Sequence, residues 1–354
     1  MKKVKYLILA LVAVLGLVAT LGLYFAPSAG GYEVGRVTAV KNRLDQKTTD
    51  EFQNKDERYT QDLTVQTKNK TKHFQNSYVK SQLLTQKYRK HDRVLLEKNG
   101  TRLVELRRDW VLVLALTVFV CLLILVLEKK ALFLTLSLLL NCLLFYGAIR
   151  FDIAENGTRI FTIYGLACLL FTFLSLALAQ GLNKKMLATA LATCISTLLA
   201  FVICFGIMRL THESGIKYES VEFATQSPRS LFLAQTMLGL LGAVMDEATD
   251  IIASLSTLGA DGSLSKRQII HSGLEIGREI MGPLINVLVL IFMAEALPMT
   301  ILYLRDNNTL AYTFQFGLSL GILQSLVSAI GIVLNIPVAS CCSLLFYNKK
   351  EVSA

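Results

Sequence analysis

Cysteine is missing from the one sizeable polar stretch of the chain, residues 27–109. No disulfide can staple that stretch. All seven cysteines (Cys121, Cys142, Cys168, Cys194, Cys204, Cys341 and Cys342) fall inside apolar runs, and none forms a CxxC pair. They read as small packing residues in helices rather than zinc ligands. Histidine is scarce as well. His73, His91, His212 and His271 show no ligand spacing, so neither a metal nor any other cofactor is expected. The chain has no GxGD, no HExxH and no serine–histidine pairing. His271 and Glu275, four apart on a helix, make a poor metal site on their own. These absences argue against an enzyme, although paired acids can in principle activate water. Also missing is a basic helix interleaved with aromatics, so the formal charge of +10 does not point to nucleic acid.

What the sequence has in abundance is apolar length. Hydrophobic residues make up 53% of the 354, and the mean hydropathy is +0.50. Eight runs are long enough to cross a bilayer as helices: Tyr6–Tyr24, Trp110–Leu127, Ala131–Phe151, Phe161–Ala179, Met186–Met208, Leu231–Ile251, Ile280–Leu304 and Leu318–Phe346. The expected architecture is an all-α polytopic membrane protein of about eight spans. A small β-rich extracytoplasmic domain is inserted after the first span. The expected divisions are an anchor at 1–26, read as uncleaved, the external domain at 27–109, a seven-helix membrane domain at 110–346 and a tail at 347–354. The last run is broken by Gly321, Gly331 and Pro337. It reads as one kinked span or as a span plus an interfacial turn. LAYTFQF (310–316) before it reads as a short surface helix.

Charge sets the orientation. With the N-terminus inside, every inner connection holds at least two basic residues, for example Lys129 and Lys130, Lys184 and Lys185, Lys266 and Arg267. The outer connections mix acids with bases. The positive-inside rule therefore places both termini in the cytoplasm. The polar segment has 18 Lys+Arg against 11 Asp+Glu. Its strand-like pieces are YEVGRVTAV (32–40), DLTVQT (62–67) and RVLLEKNGTRLVEL (93–106), the last with an Asn99-Gly100 hairpin signal. Five or six strands are expected, with Lys68–Lys90 partly loop.

Acids at the end of an apolar run mark the candidate site. GAVMDEATDIIASL (242–255) carries Asp246, Glu247 and Asp250 in the sixth span. Ser227 is placed to cap that helix and Pro228 to open it. At 100° per residue, Gly239, Gly242, Asp246, Asp250 and Ala253 share one face, with Glu247 about 100° away. Small residues admit a second backbone, so that face is expected to meet another helix. The seventh span, HSGLEIGREIMGPLINVLVLIFMAEALP (271–298), puts Glu275, Glu279, Gly282 and Asn286 on one face beside Arg278. Gly282-Pro283 invites a kink. One arginine against five carboxylates requires protonation, water or a cation. Headgroup water at helix ends is the plainer explanation for Asp250, Glu275 and Arg278. Glu295, on the opposite face, suits a gate or a partner contact equally well.

These stretches resemble the YibE/YibF family of bacterial membrane proteins. The resemblance rests on LGLLGAVMDEATDIIASL (238–255), SGLEIGREIMGPLINVLVL (272–290) and SLVSAIGIVLNIPVAS (325–340). It covers about 110–346, and more loosely the external domain through KYRKHDRVLLEKNG (87–100). Glu279 stands where the family usually has Asp, Pro283 where it has a small hydroxyl residue, and Glu295 in a stretch that is usually glycine-rich. The resemblance implies a multi-pass protein of the bacterial cell membrane, in contact with lipid. It also implies a shorter YibF-like partner, with a homo-oligomer as the alternative. Two functional expectations stand together. One is a transporter or channel component that handles a cation or protons through Asp246, Glu247, Asp250, Glu275, Arg278, Glu279 and Asn286. The other is a structural or assembly protein whose basic external domain binds wall polymer or a partner.

Overall fold

The computed structural model describes residues 2–26, 28–49, 51, 53–67, 70–82, 85–97, 102–218, 228–259 and 264–347. The Asn99-Gly100 turn, the Ser227 cap and most of the C-terminal tail lie outside them. The chain divides into two compact units, Met1–Leu132 and Phe133–Ala354.

The first unit opens with helix α1 (Lys2–Phe25) and closes with α2 (Asp109–Leu127). Between them lie strands β1 (Ser28–Ala29), β2 (Tyr32–Thr49), β3 (Lys55–Gln66), β4 (Thr71–Val79), β5 (Arg93–Leu96) and β6 (Leu103–Leu106). They form one antiparallel sheet in the order β4-β3-β2-β5-β6, with β1 on β2. The three strand-like pieces of sequence are all strands. The 68–90 segment is partly loop, as expected: β4 pairs with β3 from Arg58↔Val79 to Gln66↔Thr71, and residues 80–82 and 85–90 lie outside strands. Alternation explains the strand. Phe74, Asn76 and Tyr78 are on the less exposed face of β4, while His73, Gln75 and Ser77 face out.

Val37, Leu63, Val65, Val94 and Leu96 make the buried face, covered by Tyr88. The covering segment is held by Gln61, which is 0% exposed. Its amide nitrogen donates to Asn42 Oδ1 and to the Tyr88 carbonyl, both at 2.9 Å. Its oxygen accepts from the Tyr88 N–H at 2.9 Å and from Asn76 Nδ2 at 3.1 Å. Every hydrogen-bonding position of this buried amide is filled. The helices of this unit are joined by Arg107, 2% exposed. Its guanidinium grips Asp109 in two places and donates to the Ala26 carbonyl at 2.6 Å. That pairing keeps a buried charge satisfied. α1 packs on α2 at Gly16, where a Cβ would lie 2.1 Å from Thr117 Cγ2.

The second unit is helical: most of α3 (Lys129–Ala154), then α4 (Ile160–Gln180), α5 (Lys184–Leu210), α6 (Pro228–Leu258), α7 (Lys266–Arg305), α8 (Leu310–Thr313) and α9 (Ser319–Cys342). Among the described residues, eight helices are long and apolar enough to cross a membrane, matching the eight sequence runs. One detail differs from expectation. LAYTFQF is no separate surface helix, because α8 continues through a π-helical turn, Phe314–Leu318, into α9. The helix α7 runs 40 residues, about 60 Å, and carries Pro283 and Pro298 within it. Likewise α9 passes Gly321, Gly331 and Pro337 and ends in a 3-10 turn, Ser343–Leu345.

Helix α9 is the centre of this unit, packed by α5, α6 and α7. Small residues make that possible. The buried face of α5 is Ala188, Ala192, Ser196, Ala200 and Cys204, each four apart. Thr189 and Thr193 on the same helix return their hydroxyls to carbonyls four residues back. A Cβ on Gly331 of α9 would sit 2.2 Å from Leu240 Cδ1 of α6. On α7, Gly273 and Gly277 lie as closely against Ser340 and Ile336. α6 thus runs parallel to α9 and α7 antiparallel to it.

Candidate functional site

A helix buries whatever stands on its packed stripe. On α6 that stripe runs Leu233, Thr236, Leu240, Val244, Glu247, Ile251 and Leu255, all 0–1% exposed. Steps of three and four keep these positions on one side. Glu247 therefore sits where a leucine would be expected, inside the candidate span Pro228–Leu258.

Its surroundings are specific. Glu247 Oε2 accepts a hydrogen bond from Asn335 Nδ2 of α9 at 3.0 Å. The same amide nitrogen lies 3.4 Å from the Val244 carbonyl. Ser196 of α5 donates its hydroxyl to Asn335 Oδ1 at 3.2 Å. All three side chains are 0% exposed. The result is a linear polar chain, Ser196 to Asn335 to Glu247, that crosses α5, α9 and α6. Two features of Glu247 stand out. Oε1 has no hydrogen-bond partner among the described residues. No described Lys, Arg or His forms an ion pair with it. Burying a carboxyl half-satisfied costs stability, and leucine would fill the stripe without that cost.

The other sequence candidates are placed elsewhere. Asp246 and Asp250 are exposed, together with Gly239, Gly242 and Ala253. The expected contact face of α6 is thus left largely uncovered by the described residues, with Gln324 of α9 beside Gly239. The reason is helical phase: the apolar stripe through Leu240 and Ile251 goes inward and carries Glu247 with it. On the first turns of α7 the buried positions are Ile269, Gly273 and Gly277, and Ala296 is buried further along. That leaves Glu275, Arg278, Glu279 and Asn286 exposed on the other side, and Glu295 exposed further along. Among the described residues Glu275 pairs with His271 on its own helix, at 3.4 Å. No ion pair joins Arg278 to an acid among the described residues. The seven candidates do not converge on one pocket. One of them, Glu247, is buried and connected. Among the described residues no three His, Cys, Asp or Glu side chains gather as a metal site.

Sequence reasoning passed over Asn335 and Ser196. A signal was present for the first: Asn335 is the lone asparagine of α9, one turn after Gly331 and one before Ala339. Ser196 is masked by the many hydroxyl residues of α5.

Comparison with known protein families matches residues 115–349 to the YibE/F-like protein description. Residues 29–105 match the N-terminal domain of the YibE/F family. The chain belongs to the YibE/F family. With its eight apolar helices, this YibE/F-like chain is a multi-pass membrane protein. The N-terminal family domain corresponds to the sheet β1–β6, and the larger match covers α5, α6 and α9 with the buried polar chain. Neither a curated protein nor a solved structure matches this chain.

Proposed function

We propose that this YibE/F-like protein is a component of a transporter or channel, and that the Glu247 carboxyl takes up and releases a proton or small cation. The supporting observation is the wholly buried Glu247, hydrogen-bonded through one oxygen only, at the meeting of α5, α6 and α9. Ionisable groups inside spans are expensive and mark ion pathways in many membrane proteins. Asn335 holds the carboxyl in place and Ser196 fixes the orientation of Asn335. The exposed Asp246 and Asp250 on α6, with the exposed Glu275, Glu279 and Asn286 on α7, favour cations at the surface of the unit. Arg278 tempers their charge. Both termini lie in the cytoplasm by the distribution of Lys and Arg.

The test is flux through sealed vesicles that contain the pure full-length protein. Proton and monovalent- and divalent-cation movement would be followed for the wild type and Glu247→Gln. The amide keeps the Asn335 contact and cannot carry a proton. Loss of flux with unchanged protein level supports the reading; full flux in Glu247→Gln sinks it.

A second reading is favoured by one observation. The α6 face of Gly239, Gly242, Asp246, Asp250 and Ala253 is exposed in this chain. Lipid is a poor neighbour for two acids, and small residues suit close helix packing. In this reading the face docks a YibF-like chain or a second copy, and the basic external domain binds wall polymer or a partner protein. Crosslinking from a cysteine placed at Gly242 distinguishes the two readings. A specific protein adduct supports assembly; none supports a lipid- or water-facing groove.

A further inference from the structure

A cavity of about 200 Å³ lies in the first unit where α1 ends. Its lining is Phe25, Ala26, Val34, Gly35, Arg36, Gln66, Thr67 and Arg93. Among the described residues two arginines face it and no carboxylate does. Three described acids close in sequence to the lining have partners outside it: Glu33 pairs with Lys72, Asp62 Oδ1 accepts from Gln75 Nε2, and Asp92 Oδ2 accepts from the Arg89 N–H. Arg93 stacks its guanidinium over the Tyr24 ring, 4.1 Å from the centroid, and lies 5.7 Å from that of Phe25. Its Nη1 is buried and has no hydrogen-bond partner among the described residues. Arg36 extends its guanidinium alongside His91, with Nη2 3.1 Å from Nδ1. The lining thus holds two positive charges, one with an unused buried donor. Thr67 and Gln66 add neutral polar groups.

The depth of this cavity is set by α1. The candidate span Lys5–Phe25 ends at the cavity wall. Beside it, Tyr24 and Trp110 meet edge-on at 5.4 Å, the pairing of amphipathic rings found at bilayer surfaces. At that level the abundant anion is the phosphate of a lipid headgroup. Arginine is the side chain best suited to it, because its planar fork binds phosphate oxygens in pairs and it keeps its charge.

We propose that Arg36 and Arg93 form a phosphate-binding site at the membrane surface, occupied by the headgroup of an anionic phospholipid. Arg93 binds through Nη1 while Tyr24 holds its plane, and Arg36 closes the outer side. The inference is independent of Glu247 and holds whether or not the protein transports anything.

The experiment uses the full-length protein in nanodiscs of neutral phosphatidylcholine doped with phosphatidylglycerol, with bound lipid counted by native mass spectrometry. A second arm adds inorganic phosphate to undoped discs and follows thermal unfolding. The expected result is retained phosphatidylglycerol in the wild type and about tenfold weaker retention in Arg93→Gln. Arg36→Gln, at an exposed position, gives the same direction without a folding risk, and Arg36→Lys keeps part of the binding. Stabilisation by inorganic phosphate that Arg36→Gln abolishes also supports the anion site, and names free phosphate as its source. Retention of phosphatidylglycerol unchanged in both glutamine variants, with no phosphate effect, overturns the proposal.

Discussion

Gln61 and Glu247 are isosteric in length, and each is 0% exposed in its own part of the molecule. Their surroundings differ sharply. Gln61 makes four hydrogen bonds and ties β3 to β2, β4 and the segment that carries Tyr88. Glu247 makes one, to Asn335, and its second oxygen is left over among the described residues. A saturated buried amide is a structural joint. A half-satisfied buried acid lowers stability, and its presence calls for a chemical use. The contrast separates what the sheet needs to fold from what the helical unit needs to work.

The comparison can be pressed by substitution, with the largest effect first. Gln61→Leu strands Asn42, Asn76 and both backbone groups of Tyr88. The sheet should lose about 3–5 kcal/mol, read as early protease cleavage between β2 and β5 in the full-length protein. Asn335→Leu removes the single partner of Glu247. The expected cost is about 1–3 kcal/mol, seen in thermal unfolding in detergent. Adding Glu247→Leu to Asn335→Leu should recover most of that loss, because both polar partners are then gone. No comparable second change rescues Gln61→Leu. Glu247→Gln should shift stability by less than about 1 kcal/mol while removing flux.

The smallest effect belongs to an exposed cluster at the turn end of the β2–β3 hairpin. Ser81 donates to Asp56 Oδ2 at 2.6 Å and holds its carboxyl below the usual 3.8. The Tyr59 hydroxyl, then Lys80, hold Glu57 below its usual 4.5. A lowered carboxylate pKa contributes stability above the ordinary value and loses it as pH falls through the folded one. Proteolysis of this hairpin should therefore rise only in acid below those values, while Gln61 contributes at every pH.

Much of the fold could be read from composition. The eight spans follow from runs too apolar for any other solvent, and the strands from alternation at Val37, Leu63 and Val65. The 40-residue α7 was less legible, because its apolar run begins only at Ile280, well after the helix opens at Lys266. The site was half legible. Asp246, Glu247 and Asp250 announce themselves by charge, but which of them turns inward depends on the phase of the Leu240–Ile251 stripe. Small residues at Gly239 and Gly242 suggested the opposite face. Asn335 and Ser196 lie 139 residues apart, and only tertiary packing brings them together.

Infrared difference spectra of the full-length protein in vesicles test the role of Glu247 most directly. A pH gradient should raise and lower a carboxyl C=O band that is present in the wild type, shifted in Asn335→Leu and missing in Glu247→Gln. A band that responds equally in Glu247→Gln, or none in the wild type under any gradient, would contradict the assignment of this carboxyl as the carrier.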